Sequence, residues 1–326
     1  MTNYKFIEVC AGCGGLSTGF INAGFQASLL NDNDKNCVQT LQLNHPGTVT
    51  KHCSIEDLKL EDCEKNIDLL MGGVPCQSFS QAGKRKGIED KRGKLVYTFI
   101  KMVNYIQPKV FLIENVKGLV SHNNGETLKH ILHELEKSGR YNIQYKVLNA
   151  NDFNVPQNRE RLIIVGVHKL IGKTFQFPQK DSRKPNLRSV LENCPSSSGT
   201  EYNDGKRILF EMIPEGGCWV NLPIELQKSY MGNSYKSGGG KRGILKRLSM
   251  DKPCLTLLTT PTQKQTERCH PIHTRPLQIL EYARIQTFTD EYKFHGSVSQ
   301  IYKQIGNAVP VNLAHAIAIE IKNVLC

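Results

Sequence analysis

Residues 6–20 read FIEVCAGCGGLSTGF. A short apolar run stops at a glycine-rich turn, and a helix-like segment from Leu16 to Ala23 follows at once, ending at Gly24. Glycines in such a turn let the backbone approach a ligand at the N-terminus of a helix. The spacing Gly12-x-Gly14-Gly15 is not the dinucleotide pattern G-x-G-x-x-G, so the turn alone leaves the ligand open. Cys10 and Cys13 form a C-x-x-C with no second pair after it. Both read as small residues fitting a tight turn rather than as a zinc or redox site.

Working outward, strand and helix signals alternate. Strand-like runs lie at Lys5–Cys10, Gln26–Leu30, Ile67–Met71, Val110–Ile113, Ile143–Leu148 and Arg161–Val167. Helix-like spacing covers Asp34 to about Leu43, Lys94–Ile106 and Glu126–Lys137. This alternation predicts an α/β fold: a Rossmann-like, mostly parallel sheet with helices on both faces. Asp32, just past the second strand, is placed to accept hydrogen bonds from two ribose hydroxyls, so turn and aspartate together point to a nucleoside-containing cofactor. From about residue 178 the texture changes to glycine-, serine-, proline- and lysine-rich stretches such as NCPSSSGT and NSYKSGGGKRG. Residues 1–178 therefore read as the catalytic and cofactor-binding domain and 179–275 as a smaller, loop-rich insert. Residues 276–326, with helix-like spacing at Leu277–Ile285 and Val311–Val324, read as a return to the large domain.

Lys+Arg 42 against Asp+Glu 30 gives a net charge of +12, an excess that favours a polyanionic partner such as nucleic acid. The eleven cysteines are scattered rather than framed for disulfides, and no charged-then-apolar leader opens the sequence. The longest apolar runs, such as Leu162–Val165, are far too short to span a bilayer. A cytoplasmic protein without membrane contact is expected.

Three further places carry chemistry. In GGVPCQSFS, residues 72–80, Cys76 follows a strand, two glycines and a proline. The basic loop GKRKGIEDKRGK comes next, at 83–94. Positive charge lowers a thiol pKa and makes a nucleophile, and such a loop could close over a polyanion. In FLIENV, residues 111–116, Glu114 ends an apolar strand, where burial raises a carboxyl pKa so that it can donate a hydrogen bond at neutral pH. In VPQNRERLIIVG, Arg159 and Arg161 start a strand and are read as pointing to opposite faces, one reaching the site and the other bracing it. His270 and His273 flank Pro271, but with Cys269 alone beside them they are not read as a metal site.

In this order these motifs resemble the DNA (cytosine-5) methyltransferase family, in its compact prokaryotic restriction–modification form. The likeness runs through the glycine turn, Pro75-Cys76-Gln77, Glu114-Asn115-Val116, Gln157-x-Arg159-x-Arg161, Arg275-Pro276-Leu277 with Glu281, Arg284 and Gln286, and Gln304-Ile305-Gly306-Asn307-Ala308-Val309-Pro310. The resemblance implies a class I fold that binds S-adenosyl-L-methionine, gives S-adenosyl-L-homocysteine as product and uses no metal. It implies that Cys76 attacks C6 of a flipped-out cytosine, with Glu114, Arg159 and Arg161 supporting the ring. It further implies that the cofactor is held by Cys10, Gly12, Gly14, Gly15, Leu16, Asp32, Asn33, Ser54, Ile55, Pro75, Leu95, Asn307 and Val309. Cys10, Asn33 and Ser54 depart from the residues usual at their positions; Ser54, without charge, implies weaker recognition of the adenine.

The insert 179–275 corresponds to the target-recognition domain. The partner implied is double-stranded DNA, contacted by Ser80, Lys84, Arg85, Lys86, Arg92, Lys241, Arg242, Arg247 and Thr256, with Lys236 and Lys246 as further phosphate contacts. The enzyme would act as a monomer, and a cognate restriction endonuclease would share its site without binding it. A branch of the family that methylates transfer RNA, and a catalytically silent DNA-binding relative, are the alternatives. A nicotinamide oxidoreductase lacks its fingerprint here.

Overall fold

The computed structural model describes residues 3–75, 94–236, 243–263 and 267–326. Its centre is a seven-stranded sheet built from β1 (Lys5–Val9), β2 (Gln26–Asp32), β3 (Val49–His52), β4 (Leu69–Gly72), β5 (Val110–Val116), β6 (Tyr141–Asn149) and β7 (Glu160–His168). The strand order is β3-β2-β1-β4-β5-β7-β6. β7 runs antiparallel to both its neighbours, β5 and β6, and the remaining pairings are parallel. The mostly parallel sheet expected from the sequence is therefore present, with one reversed strand.

Strand periodicity explains the two covered faces. Phe6, Leu30, Leu69, Met71, Val110, Leu112, Ile163 and Val165 point to one face, where they pack with α1 (Gly15–Asn22) and α9 (Val311–Leu325). Their chain neighbours Ile7, Leu29, Leu70, Phe111, Ile113, Leu162 and Ile164 point to the other face. There they pack with α3 (Lys94–Ile106) and α4 (Glu126–Glu136). Strands buried on both sides are continuous apolar runs, which is how these segments read. The stretch Val298–Leu325 is long and apolar enough to cross a membrane by length and composition only. It is in fact two helices, α8 (Val298–Asn307) and α9, parted at Ala308–Pro310, and α9 buries Leu313, Ala314, Ile317 and Ile321.

The sheet turns into helix where the sequence demands it. Gly14, at φ +84°, caps α1 in a conformation that an L side chain rarely adopts. α2 (Lys35–Asn44) is capped by Asp34, whose carboxylate accepts the Asn36 N–H at 3.0 Å. Beyond residue 178 the chain is less bare of helix than its composition suggests. α5 (Asp204–Glu211) and α6 (Ile224–Met231) are each only eight residues long, too short for a periodicity to show. They enclose a small core of Phe210, Ile213, Leu222, Met231, Ile244, Leu245 and Cys269. Leu187, Leu191, Leu248, Met250, Cys254 and Leu257 belong to a different core, shared with α7 (Ile279–Ile285), α8 and Cys13. Among the described residues every cysteine is a free thiol.

Candidate active site

At the carboxyl ends of β1, β2, β4 and β5 lies a cavity of about 660 Å³. Cys10, Gly12, Leu16, Asp32, Asn33, Ser54, Ile55, Pro75, Leu95, Asn307 and Val309, all expected to hold the cofactor, line it. Asp32, the last residue of β2, is fixed by two backbone donors: Oδ2 accepts the Gly12 N–H and Oδ1 the Asp34 N–H, each at 2.8 Å. Burial raises its pKa, and these two N–H groups oppose the rise. Gly12, at φ +58°, makes the turn that brings its N–H to Asp32.

Gly14 and Gly15 do not line the cavity. A Cβ on Gly15 would lie 2.2 Å from the Val309 carbonyl oxygen, and one on Gly14 would meet the Tyr292 hydroxyl at 2.7 Å. These two glycines let the start of α1 close against the C-terminal segment and so shape the cavity from behind. Burial also pushes the Cys10 thiol up to about 12, far from a reactive thiolate.

Glu8 is a cavity residue that the sequence analysis does not single out. It lies one residue before the end of β1, lines the cavity and is 1% exposed. Its pKa is pushed up to about 8, first by burial and then by the nearby Asp32 and Glu114 charges, against hydrogen bonds from Ser17. Oε2 makes no hydrogen bond among the described residues. The signal available was a lone acid inside the apolar run Phe6–Val9.

Glu114, two residues before the end of β5, lies on the face that carries Glu8. In the antiparallel register Arg161 stands opposite Val116 and Glu114 opposite Ile163, so the two are diagonal neighbours on one face. Arg161 Nε lies 2.9 Å from Glu114 Oε1. Burial raises the Glu114 pKa, while Arg161 and, less directly, Arg159 pull it back down. Gly73 leaves room for the carboxylate, since a Cβ there would sit 3.2 Å from Glu114 Oε2. The next residue, Asn115, donates from Nδ2 to the Val74 carbonyl at 2.8 Å, tying the end of β5 to the chain that leads through Pro75 to residue 76. Cys76 itself lies outside the described residues, as do Ser80, Lys84, Arg85, Lys86, Arg92, Lys241 and Arg242.

Arg159 and Arg161 do not point to opposite faces. Positions two apart on an extended chain share a face, and both guanidinium groups act on Glu114. Arg161 pairs with the carboxylate, while Arg159 is 1% exposed and donates to the carbonyls of Leu257 at 3.1 Å and Gly306 at 2.8 Å.

Arg247 is not available to DNA. It is 5% exposed, and its guanidinium donates to the carbonyls of Phe210, Ile213 and His270 and to the Thr274 hydroxyl. Its charge is used up in joining α5 to the segment around residue 270. Lys246 Nζ donates to the Gly216 carbonyl. Lys236 is exposed, and Thr256 donates to the Asn158 carbonyl at 2.8 Å.

His270 is structural. Its Nδ1 accepts the N–H groups of Ile272 and His273, each at 3.1 Å, so the proton sits on Nε2, 3.4 Å from Glu281. Burial lowers its pKa to about 4. Arg275 holds Glu281 with two bonds of 2.8 Å. Among the described residues no cluster of three metal-ligating side chains occurs.

In comparison with known proteins, the family model of the C-5 cytosine-specific DNA methylase matches residues 4–323. The type II methyltransferase M.Sau96I of Staphylococcus aureus is 47% identical over 319 residues, which cover 96% of this chain and 74% of that protein. The type II methyltransferase M.PspPI of a Psychrobacter species is 47% identical over 324 residues, 97% of this chain and 78% of that protein. A solved structure described as a DNA modification methyltransferase encoded in an Escherichia coli prophage superposes with a TM-score of 0.74 over 99% of both chains. At 24% identity that likeness concerns the fold.

Proposed function

Because the chain belongs to the C-5 cytosine-specific DNA methylase family and is a DNA (cytosine-5) methyltransferase, we propose the following reaction for it. It transfers a methyl group from S-adenosyl-L-methionine to C5 of a cytosine flipped out of a specific double-stranded DNA site, as the modification enzyme of a restriction–modification pair. The observation that carries this reading is the Glu114–Arg161 pair: Glu114 stands beside the chain leading to Cys76 and lines the same cavity as Asp32.

The cavity fits the cofactor in size and charge. A volume of about 660 Å³ suits a nucleoside with an amino-acid arm, and the carboxyl groups of Glu8, Asp32 and Glu114 face it. Bound there, the cofactor supplies an electrophilic methyl group on a cationic sulfur. Asp32, held by two N–H groups, would accept the ribose hydroxyls, with Leu16, Ile55, Pro75, Leu95 and Val309 as apolar walls. Ser54 would offer the adenine a neutral oxygen.

The Cys76 sulfur would bond to C6 of the extruded base, and the electron pair of the C5=C6 bond would make C5 nucleophilic. Glu114, its pKa raised by burial, would give or share a proton at N3 as negative charge builds on the ring. Arg161 would fix that carboxyl and donate to the base carbonyl. After C5 takes the methyl group, its proton leaves to solvent, the S–C6 bond breaks as the C5=C6 bond re-forms, the N3 proton returns to Glu114 and Cys76 is released as the thiolate.

Such an enzyme would work as a monomer in the compartment that holds the chromosome, and a cognate endonuclease would meet it only through the shared site. Bisulfite sequencing of unmethylated duplex DNA treated with the purified protein and cofactor tests the reading. Protected cytosines confined to one short sequence are expected. Unprotected DNA, or protection of a transfer RNA instead, would overturn it.

A further inference from the structure

Leu257 sits where the segment expected to meet DNA touches the wall of the cofactor cavity. Its N–H donates to Gln157 Oε1 at 3.0 Å, and its carbonyl accepts from one arm of Arg159 at 3.1 Å. Gln157 Nε2 donates to Gln286 Oε1 at 2.9 Å. Gln286 Nε2 donates in turn to the carbonyls of Ile305 at 2.8 Å and Ala308 at 3.2 Å. The second arm of Arg159 donates to the Gly306 carbonyl at 2.8 Å. Both ends of the Leu257 peptide are thus tied, through three side chains, to the turn that carries Asn307 and Val309 into the cavity.

Gln157 and Gln286 are 0% exposed and Arg159 is 1% exposed, so water cannot replace a bond that is lost. Leaving one such donor unsatisfied is therefore costly. Backbone contact adds to the hydrogen bonds: a Cβ on Gly306 would lie 2.4 Å from the Leu258 carbonyl oxygen. The turn at 305–308 therefore cannot shift without moving residues 257–258. A buried guanidinium held mainly by carbonyls is costly where apolar packing would serve stability as well. What it adds is one fixed geometry between the two segments.

Resting on the function proposed above, we propose that this buried clasp couples cofactor occupancy to DNA binding. Arg159 is on this view a positioning residue, acting through Leu257 and Gly306, rather than a catalytic one. The cofactor, by ordering Asn307 and Val309, fixes Leu257 and hence Thr256 for DNA. By linkage, DNA then tightens cofactor binding by the same factor.

Binding of S-adenosyl-L-homocysteine to the full chain would be measured by calorimetry, alone and with duplex DNA carrying the site mapped by bisulfite sequencing. The same titrations would be run on Gln286→Met and Gln157→Met, after thermal melting has shown each variant to be folded. Coupling of about ten-fold or more is expected in the unmodified protein, falling to about two-fold or less in either variant. A merely structural role would weaken each ligand separately and leave the ratio intact, and that result would overturn the proposal, as would no coupling in the unmodified protein. If neither ligand binds the unmodified protein, the function proposed above fails and this inference with it.

Discussion

Arg161 Nε and Glu114 Oε1 stand 2.9 Å apart, on adjacent antiparallel strands and on one face of the sheet. The relationship is set by register: with Arg161 opposite Val116, its side chain reaches diagonally to the carboxylate two residues earlier on β5. One carboxyl oxygen is thereby oriented by a guanidinium, and Gly73 leaves space beside the other.

Glu114→Gln keeps the shape of that side chain and removes its proton. Methyl transfer to DNA should fall by about 100- to 10,000-fold, the usual contribution of a positioned acid. The duplex dissociation constant should stay within about three-fold, because the carboxyl acts on an already bound base. Single-turnover kinetics with labelled cofactor, beside fluorescence-anisotropy binding, separates the two. A loss confined to binding would contradict the role.

Glu8 supplies a pH signature. Its pKa rises from an ordinary 4.5 to about 8 in the folded chain, so between those values the folded state holds a proton that the unfolded state has lost. Its contribution to stability is full below 4.5 and declines as pH rises to about 8, by roughly 1.4 kcal/mol per pH unit at most. Glu8→Gln should therefore flatten the fall in melting temperature across this window, as read by calorimetry. An unchanged pH slope would show that Glu8 is not the group responsible.

Arg247 gives the opposite test from the one its sequence position invites. Arg247→Met strands several buried carbonyls and should cost about 2 kcal/mol or more in denaturant unfolding. The slope of log affinity for DNA against log salt should not change, whereas loss of a phosphate contact would lower it by about 0.9.

Much of this was legible in the chain because buried parallel strands are short apolar runs, and the acid ending one of them is hard to miss. Helix α3 matched its spacing at Lys94–Ile106, since four apolar residues fall on one face over three turns. Asp32 and Glu114 could be read because Asp32 closes β2 and Glu114 follows the apolar run of β5, both near the carboxyl edge of the sheet. Glu8 could not, because its meaning depends on burial, and an acid inside a strand is equally at home at a solvent edge. Gln157 and Gln286 are 129 positions apart, and no local pattern shows that they touch. Arg247 lies within the basic stretch Lys241–Arg247, where composition suggests a solvated surface and only packing shows a buried hub. Helix α8 was missed because its polar residues dominate; its Ser297–Gln300 capping box was the available sign.

The proposed reaction turns on a bond between the sulfur of Cys76 and the pyrimidine it modifies. It is tested most directly by incubating the protein and S-adenosyl-L-methionine with duplex DNA that carries 5-fluorocytosine at the mapped site. A protein–DNA complex that survives denaturation is expected, with the nucleotide mapped by mass spectrometry to residue 76 and no complex from Cys76→Ser. A duplex methylated without any denaturation-resistant complex, or a bond mapped to another residue, would contradict it.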